Sequence, residues 1–194
     1  AGLASKLQKS GDIAISYLGD GATEEGVFHE SLNFARVSNI PILFVVENNL
    51  FSSHMHMSLR QPSNTINRFA KAHKIESKLV DGNDVIEIYK TSSEFIRKMR
   101  LKPEPYLIEA ITYRWFGHVD WRDDIDVGVE RSKKDLLNWK KRDPIKRLSD
   151  AMINKKIWTK EKQITLDSKI KELIEENWEK ATTDDFPNKE SLLD

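Results

Sequence analysis

The chain has 194 residues, 39% hydrophobic and 32% charged, which suits one globular domain, or one with an appendage, able to bury a sizeable core. Its 31 Lys and Arg balance 31 Asp and Glu, so no electrostatic footprint points to nucleic acid or to an anionic membrane. The absence of cysteine excludes disulfides, thiolate catalysis and cysteine zinc sites, and no apolar run approaches the roughly 20 residues of a membrane helix. A reducing, cytoplasmic location is the corresponding expectation.

The opening "AGLASKLQKSGD" lacks an initiator Met and reads as the tail of a helix running into a strand, so an N-terminally incomplete chain is expected. "DIAISYL" (12–18) and "IPILFVVE" (40–47) are short apolar runs rich in Ile and Val, as in strands covered on both faces. Between them Val27, Phe28, Ser31, Leu32, Phe34 and Ala35 fall at helical spacing, which predicts a helix over 24–37 and a βαβ unit. A second unit follows. "SKLVDG" (77–82) reads as a strand, and the next helix carries Ile88, Tyr89, Ser92, Phe95, Ile96 and Met99 on one face. Asp84 and Glu87 resemble a capping box at its start. "PEPYLIEAITYRW" (103–115) is another buried strand, while 51–76 and 116–132 read as loops. The pattern then becomes helical over 133–141, from Pro144, and over about 160–181. In that last stretch Ile164, Ile170, Leu173, Ile174, Trp178 and Ala181 form an apolar stripe, and a loose tail follows. This alternation predicts an α/β fold, a mostly parallel sheet with helices on both faces. Residues 1–132 form the α/β domain, and 133–194 form a helical extension packed on it.

In open α/β sheets ligands bind beyond the carboxyl ends of the strands. "GDG" (19–21) follows the first strand and "ENNLF" (47–51) the second, so Asp20 and Asn49 can meet there. A carboxylate, an amide oxygen and a backbone carbonyl suit Mg²⁺, which takes one or two carboxylates together with phosphate oxygens. Gly19 and Gly21 let the backbone approach a phosphate, and the amides of the following helix favour an anion. Each motif alone is more often a plain turn; the pair at successive strand ends is far more specific. Glu24 and Glu25 read as acids favoured at a helix N-terminus rather than as catalysts. His54 and His56 share one face of an extended segment, without a third metal ligand nearby. Arg114 suits either a phosphate or a structural ion pair. The tryptophans at 115, 121, 139, 158 and 178 read as packing or subunit-contact residues. No Gly-x-Gly-x-x-Gly follows any strand, which argues against a nicotinamide Rossmann enzyme.

"GDGATEEGVFHESLNFA" followed by "IPILFVVENN" resembles the thiamine-diphosphate motif, which opens with Gly-Asp-Gly and closes with Asn-Asn. More narrowly, the chain resembles the alpha subunit of the decarboxylating component of 2-oxo acid dehydrogenases, the pyruvate, branched-chain and acetoin group. The resemblance continues through "FAKAHKI", "VDGNDV", "PYLIEAITYRWFGH" and "RDPIKRL". It implies the thiamine-diphosphate-binding fold and the cofactors thiamine diphosphate and Mg²⁺. It further implies that Asp20, Asn49 and the Phe51 carbonyl hold the metal, while Gly19, Gly21 and Ala22 accommodate the diphosphate. His118, in "YRWFGH", matches a family histidine beside the diphosphate and the reacting carbon, and is the implied catalytic residue. Implied partners are a beta subunit whose glutamate activates the cofactor, a second alpha chain and a lipoyl-bearing acyltransferase, with a 2-oxo acid as substrate. Many relatives have His-Gly-His-Ser, with a regulatory Ser, where this chain has Phe116-Gly117-His118-Val119. The altered loop after His118 keeps open a dehydrogenase for acetoin or another specialised substrate, and the expected missing N-terminal part keeps open a non-catalytic subunit that binds the cofactor or serves assembly.

Overall fold

A computed structural model describes residues 1–119 and 131–193. The chain divides into two compact units, Ala1–Arg147 and Leu148–Asp194. The first opens with α1 (Gly2–Gln8), β1 (Ala14–Gly19), a 3-10 turn at Gly21–Glu24, α2 (Gly26–Val37) and β2 (Ile42–Asn48). A small hairpin follows, β3 (Phe51–Ser52) and β4 (Met55–His56), and then α3 (Asn67–Ala72). After these come β5 (Glu76–Asp81), α4 (Val85–Leu101), β6 (Tyr106–Ile111) and α5 (Lys133–Lys140). Helix α6 (Pro144–Asn154) crosses the division, and α7 (Lys160–Thr183) lies in the second unit.

The expected α/β architecture is present: β1, β2, β6 and β5 form one sheet in that order, every pair parallel. Strand periodicity sorts the core into two layers. Phe44 and Val46 of β2 and Leu107 of β6 pack with Phe28, Leu32 and Ala35 of α2 and Ala70 of α3. Leu43, Tyr106, Ile108 and Ala110 face the other way, onto Phe95 and Met99 of α4. Leu32 and Phe95 are fully buried, and truncating either to Ala costs about 2–5 kcal/mol in such a setting.

Several sequence expectations require correction. The first strand is not covered on both faces: Ile15 and Tyr17 are exposed, Tyr17 at 68%. β1 is an edge strand, paired among the described residues only with β2, and α4 lies over β2, β6 and β5. The helix predicted from residue 24 starts at Gly26, because Gly21–Glu24 closes into a 3-10 turn first. Its buried stripe is narrower than predicted, since Val27 and Phe34 face solvent. In α4 Tyr89 is likewise exposed, and Thr91 takes a buried place. The Asp84 carboxylate caps α4, accepting from the amides of Ile86 and Glu87 at 3.0 Å. Glu87 does not complete the box, because its carboxylate accepts from Asp81 N–H at 3.2 Å. The segment 51–76 is not one long loop. It folds into the hairpin, a 3-10 turn at Met57–Leu59 and α3, with Met57, Ile66 and Ala70 fully buried.

In the second unit Ser149 Oγ and Trp158 Nε1 both donate to Gln163 Oε1 at 3.0 Å, and Thr159 caps α7 through Lys162 N–H. The predicted α7 stripe is exposed along its length. The predicted loose tail contains a 3-10 turn at Lys189–Leu193. Among the described residues no helix is long and apolar enough to cross a membrane.

Candidate functional site

The site begins with strand register. Gly19, the last residue of β1, pairs with Glu47 of β2, so Asp20 and the Asn48–Asn49 pair leave the sheet from neighbouring strands at the same edge. The chain turns at once after Gly19, and Thr23 ties the turn by donating its N–H and Oγ1 to the Asp20 carbonyl at 3.2 and 2.6 Å. This geometry draws the Asp20 side chain inside, where it is 1% exposed. A carboxylate so buried needs a compensating positive group. Arg60 supplies it, with Nη2 at 2.5 Å from Asp20 Oδ2 and Nη1 on Glu24 Oε1. Gln61 Nε2 adds a bond to the same Glu24 oxygen at 2.7 Å. Glu24 therefore belongs to this ion cluster rather than to the helix N-terminus assigned from sequence.

The second half of the site is a strained turn. Leu50 adopts a left-handed conformation with φ +68°, which an L-residue with a bulky side chain rarely takes. Three hydrogen bonds hold it there. Asn48 Oδ1 accepts from Leu50 N–H and Asn49 Oδ1 from Phe51 N–H, both at 3.0 Å, while Met57 N–H donates to the Leu50 carbonyl at 2.7 Å. Asn48 is itself fully buried and donates Nδ2 to Glu109 Oε1 at 2.7 Å. Glu109 Oε2 accepts from the amides of Ile66 and Asn67, both at 2.8 Å, at the start of α3. One buried carboxylate on β6 thus fixes both the turn after β2 and the entry of α3.

The β3–β4 hairpin gathers the predicted residues. A Cβ at Gly21 would lie 2.8 Å from Ser52 Cβ, so glycine is required there by the hairpin that closes over it. At Gly19 the same position opens into free space. Ala22 sits exposed on the 3-10 turn. Phe51 lies edge-on to His56 at 5.0 Å and to Tyr113 at 6.2 Å between ring centres. His54, at the hairpin turn, brings its ring to 6.5 Å from that of the exposed His118, in the segment after β6. His54 stands at the hairpin turn and His56 on β4, where its Nδ1 engages Ser58. Arg114 donates to the Ser53 carbonyl at 2.7 Å, and Arg131 lies 5.0 Å above the Tyr113 ring, which stacks on Trp139 at 5.6 Å. A cavity of about 360 Å³ opens beside this segment, lined by Tyr113, Trp115 and Phe116 with Asn83 and Pro144. The aspartate-rich part of the predicted 116–132 loop, with Trp121, lies outside the described residues.

Among the described residues no three His, Asp or Glu side chains converge as a closed metal cage. The donors present fit a different arrangement: one buried carboxylate facing a cation, an amide oxygen and nearby backbone carbonyls. These are the ligand types of an ion completed by phosphate oxygens. Arg60 and Glu109 escaped the sequence reading. An acid inside the apolar run "YLIEAI" was the available signal for Glu109, whereas nothing local marks Arg60.

Comparison with known proteins places the chain in a family. The chain is 32% identical over 179 residues to the pyruvate dehydrogenase E1 component subunit alpha of Acholeplasma laidlawii, covering 92% of this chain and 51% of that protein. It is 33% identical over 194 residues to the mitochondrial 2-oxoisovalerate dehydrogenase subunit alpha of Mus musculus, covering 100% of this chain and 43% of that protein. It is 33% identical over 171 residues to the 3-methyl-2-oxobutanoate dehydrogenase subunit alpha of Mycobacterium tuberculosis, covering 87% and 46%. The chain spans about half the length of these curated relatives. The dehydrogenase E1 component family matches residues 1–190, through both strand ends and the segment of His118, and the chain belongs to that family.

Proposed function

We propose that this chain is the diphosphate-gripping part of a thiamine-diphosphate- and Mg²⁺-dependent 2-oxo acid dehydrogenase, working as an alpha subunit beside a beta subunit and a second alpha chain. The single observation that carries the reading is Asp20, a fully buried carboxylate at a parallel-strand end, facing a cation and flanked by the Asn49 turn. In this reading Asp20, the Asn49 amide oxygen and the Phe51 carbonyl hold Mg²⁺. The cofactor, when bound, supplies the nucleophilic carbon at which a 2-oxo acid loses carbon dioxide before its acyl group passes to a lipoyl acceptor. The chain's own contribution is binding and orientation. Gly19, with open space where a side chain would stand, and the backbone of Gly21 and the exposed Ala22 let a diphosphate approach. The Glu109–Asn48 bond keeps the Asn49 turn in place without the ion. His118, exposed beside His54, hydrogen-bonds a phosphate oxygen or holds a proton at a ring nitrogen.

Calorimetric titration of thiamine diphosphate into the complete protein, with and without Mg²⁺, tests this. Binding that requires Mg²⁺ and disappears in Asp20→Asn is the expected result. Cofactor binding indifferent to both the metal and Asp20 would overturn the assignment.

A further inference from the structure

The guanidinium on Asp20 has a consequence for how the site fills. We propose that Arg60 is a built-in counter-cation of the metal site, which a divalent ion must displace from Asp20 to bind. The proposal rests on the reading of Asp20 as a metal ligand.

Arg60 is placed as a substitute charge rather than as a surface ion pair. Its side chain is 7% exposed and that of Asp20 is 1%, so both are withdrawn from water. The planar fork is used in three directions: Nη2 to Asp20 at 2.5 Å, Nη1 to Glu24, and Nε to the Met55 carbonyl at 3.1 Å. A lysine could not bridge the two carboxylates in this way. The arrangement solves a problem created by the fold, since the turn after β1 buries Asp20. A buried carboxylate without a partner is strongly destabilising, and Arg60 removes that penalty.

The same contact obstructs the metal. Mg²⁺ binds oxygen at about 2.0–2.1 Å and tolerates little departure from octahedral geometry. Asp20 Oδ2 already receives an N–H at 2.5 Å, and a second cation beside it would be repelled by the guanidinium. Arg60 has somewhere to go. Glu24 is far more exposed than Asp20, at 33% for its side chain, so the guanidinium can turn onto it toward solvent and remain paired. Arg60 also hangs from the Met55 carbonyl of the hairpin that covers Gly21. Filling the site is therefore coupled to movement of the hairpin that carries Phe51. The exchange lowers metal affinity by the fraction of molecules in which Asp20 is free.

The test uses Mn²⁺ alone as the probe, titrated into the complete protein without cofactor and followed by the electron paramagnetic resonance of the free ion. Arg60→Gln is expected to bind Mn²⁺ at least about tenfold more tightly than the unmodified protein, corresponding to less than a tenth of molecules having Asp20 free. Equal or weaker binding overturns the displacement. Asp20→Asn separates this from the underlying reading. If it abolishes Mn²⁺ binding while Arg60→Gln matches the unmodified protein, Asp20 is the ligand and only the displacement is wrong. If Mn²⁺ binding survives in Asp20→Asn, the reading of Asp20 fails and the displacement with it. A second measurement needs no variant: Mn²⁺ should accelerate phenylglyoxal modification at Arg60, located by peptide mass. An unchanged rate overturns the proposal as well.

Discussion

Glu109 sits in the middle of a parallel sheet, at 0% exposure, and its two oxygens meet three donors from two separate parts of the chain. Replacing it with Ala leaves the amides of Ile66 and Asn67 without an acceptor and Asn48 Nδ2 with the Asn64 carbonyl at 3.2 Å. At about 1–3 kcal/mol for each of the two orphaned amides, the loss reaches at least about 2 kcal/mol. Glu109→Gln fares little better, because its NH₂ must face a donor on one side or the other. Urea unfolding checks both variants, and a Gln variant within about 0.5 kcal/mol of the unmodified protein would refute this account of the network. The residue scale is also where the reach of the sequence is most uneven. The places of Asp20 and Asn49 just beyond β1 and β2 were legible because strand ends mark themselves by composition. Asn48 was read only as part of a turn, because the partner that buries it lies 61 positions away. Arg60 meets Asp20 across 40 positions, so no spacing rule reaches it.

At the scale of elements, Asp81 at the end of β5 is a joint. Burial alone would raise its pKa, but hydrogen bonds from Arg142 and Arg147 and from Asn83 N–H outweigh that and hold it below the ordinary carboxylate value. Arg147 also reaches the Asp84 carboxylate, so the first turn of α6 is pinned to the end of β5 and the cap of α4. The sign of the pH dependence follows. A depressed folded-state pKa contributes stability above the unfolded value of about 4, and that contribution is lost as the pH falls through the folded value. The Tm difference between the unmodified protein and Arg147→Met should therefore be present at pH 7 and shrink on acidification through pH 4. A difference independent of pH would show that packing, not this ion pair, fixes the turn. The order of strands and helices was legible because periods of 2 and 3.6 are properties of the chain itself. The breadth of each buried face was not, since Val27, Phe34 and Tyr89 depend on what a neighbouring layer covers. The folding of 51–76 was also hidden, because its short elements are held by Glu109 and Met57 rather than by a pattern of their own.

At the scale of the whole molecule, charge and surface act together. The formal net charge is zero and the isoelectric point about 7.2, so little electrostatic repulsion separates copies at neutral pH. Large apolar side chains stand exposed on several elements: Ile15 and Tyr17 on β1, Val27, Phe34 and Val37 on α2, and Ile174 and Trp178 on α7. Surfaces of this kind are normally covered by another chain or chain segment. Edge strand β1, with a strand partner on one side among the described residues, adds open backbone groups to the same problem. The proposed chemistry asks for a second contributor too, since in that reading Asp20, Asn49 and the backbone of Gly21 and Ala22 grip only the diphosphate end of a cofactor. Two linked outcomes are expected. Alone, a protein of this sequence should bind an apolar dye strongly and turn over no 2-oxo acid, even with thiamine diphosphate and Mg²⁺. Mixed with its beta chain, it should lose most of the dye signal and gain decarboxylation at the same molar ratio. Turnover without the second chain would place the whole reaction on this one, whereas loss of the dye signal without turnover would make it a subunit for assembly rather than catalysis.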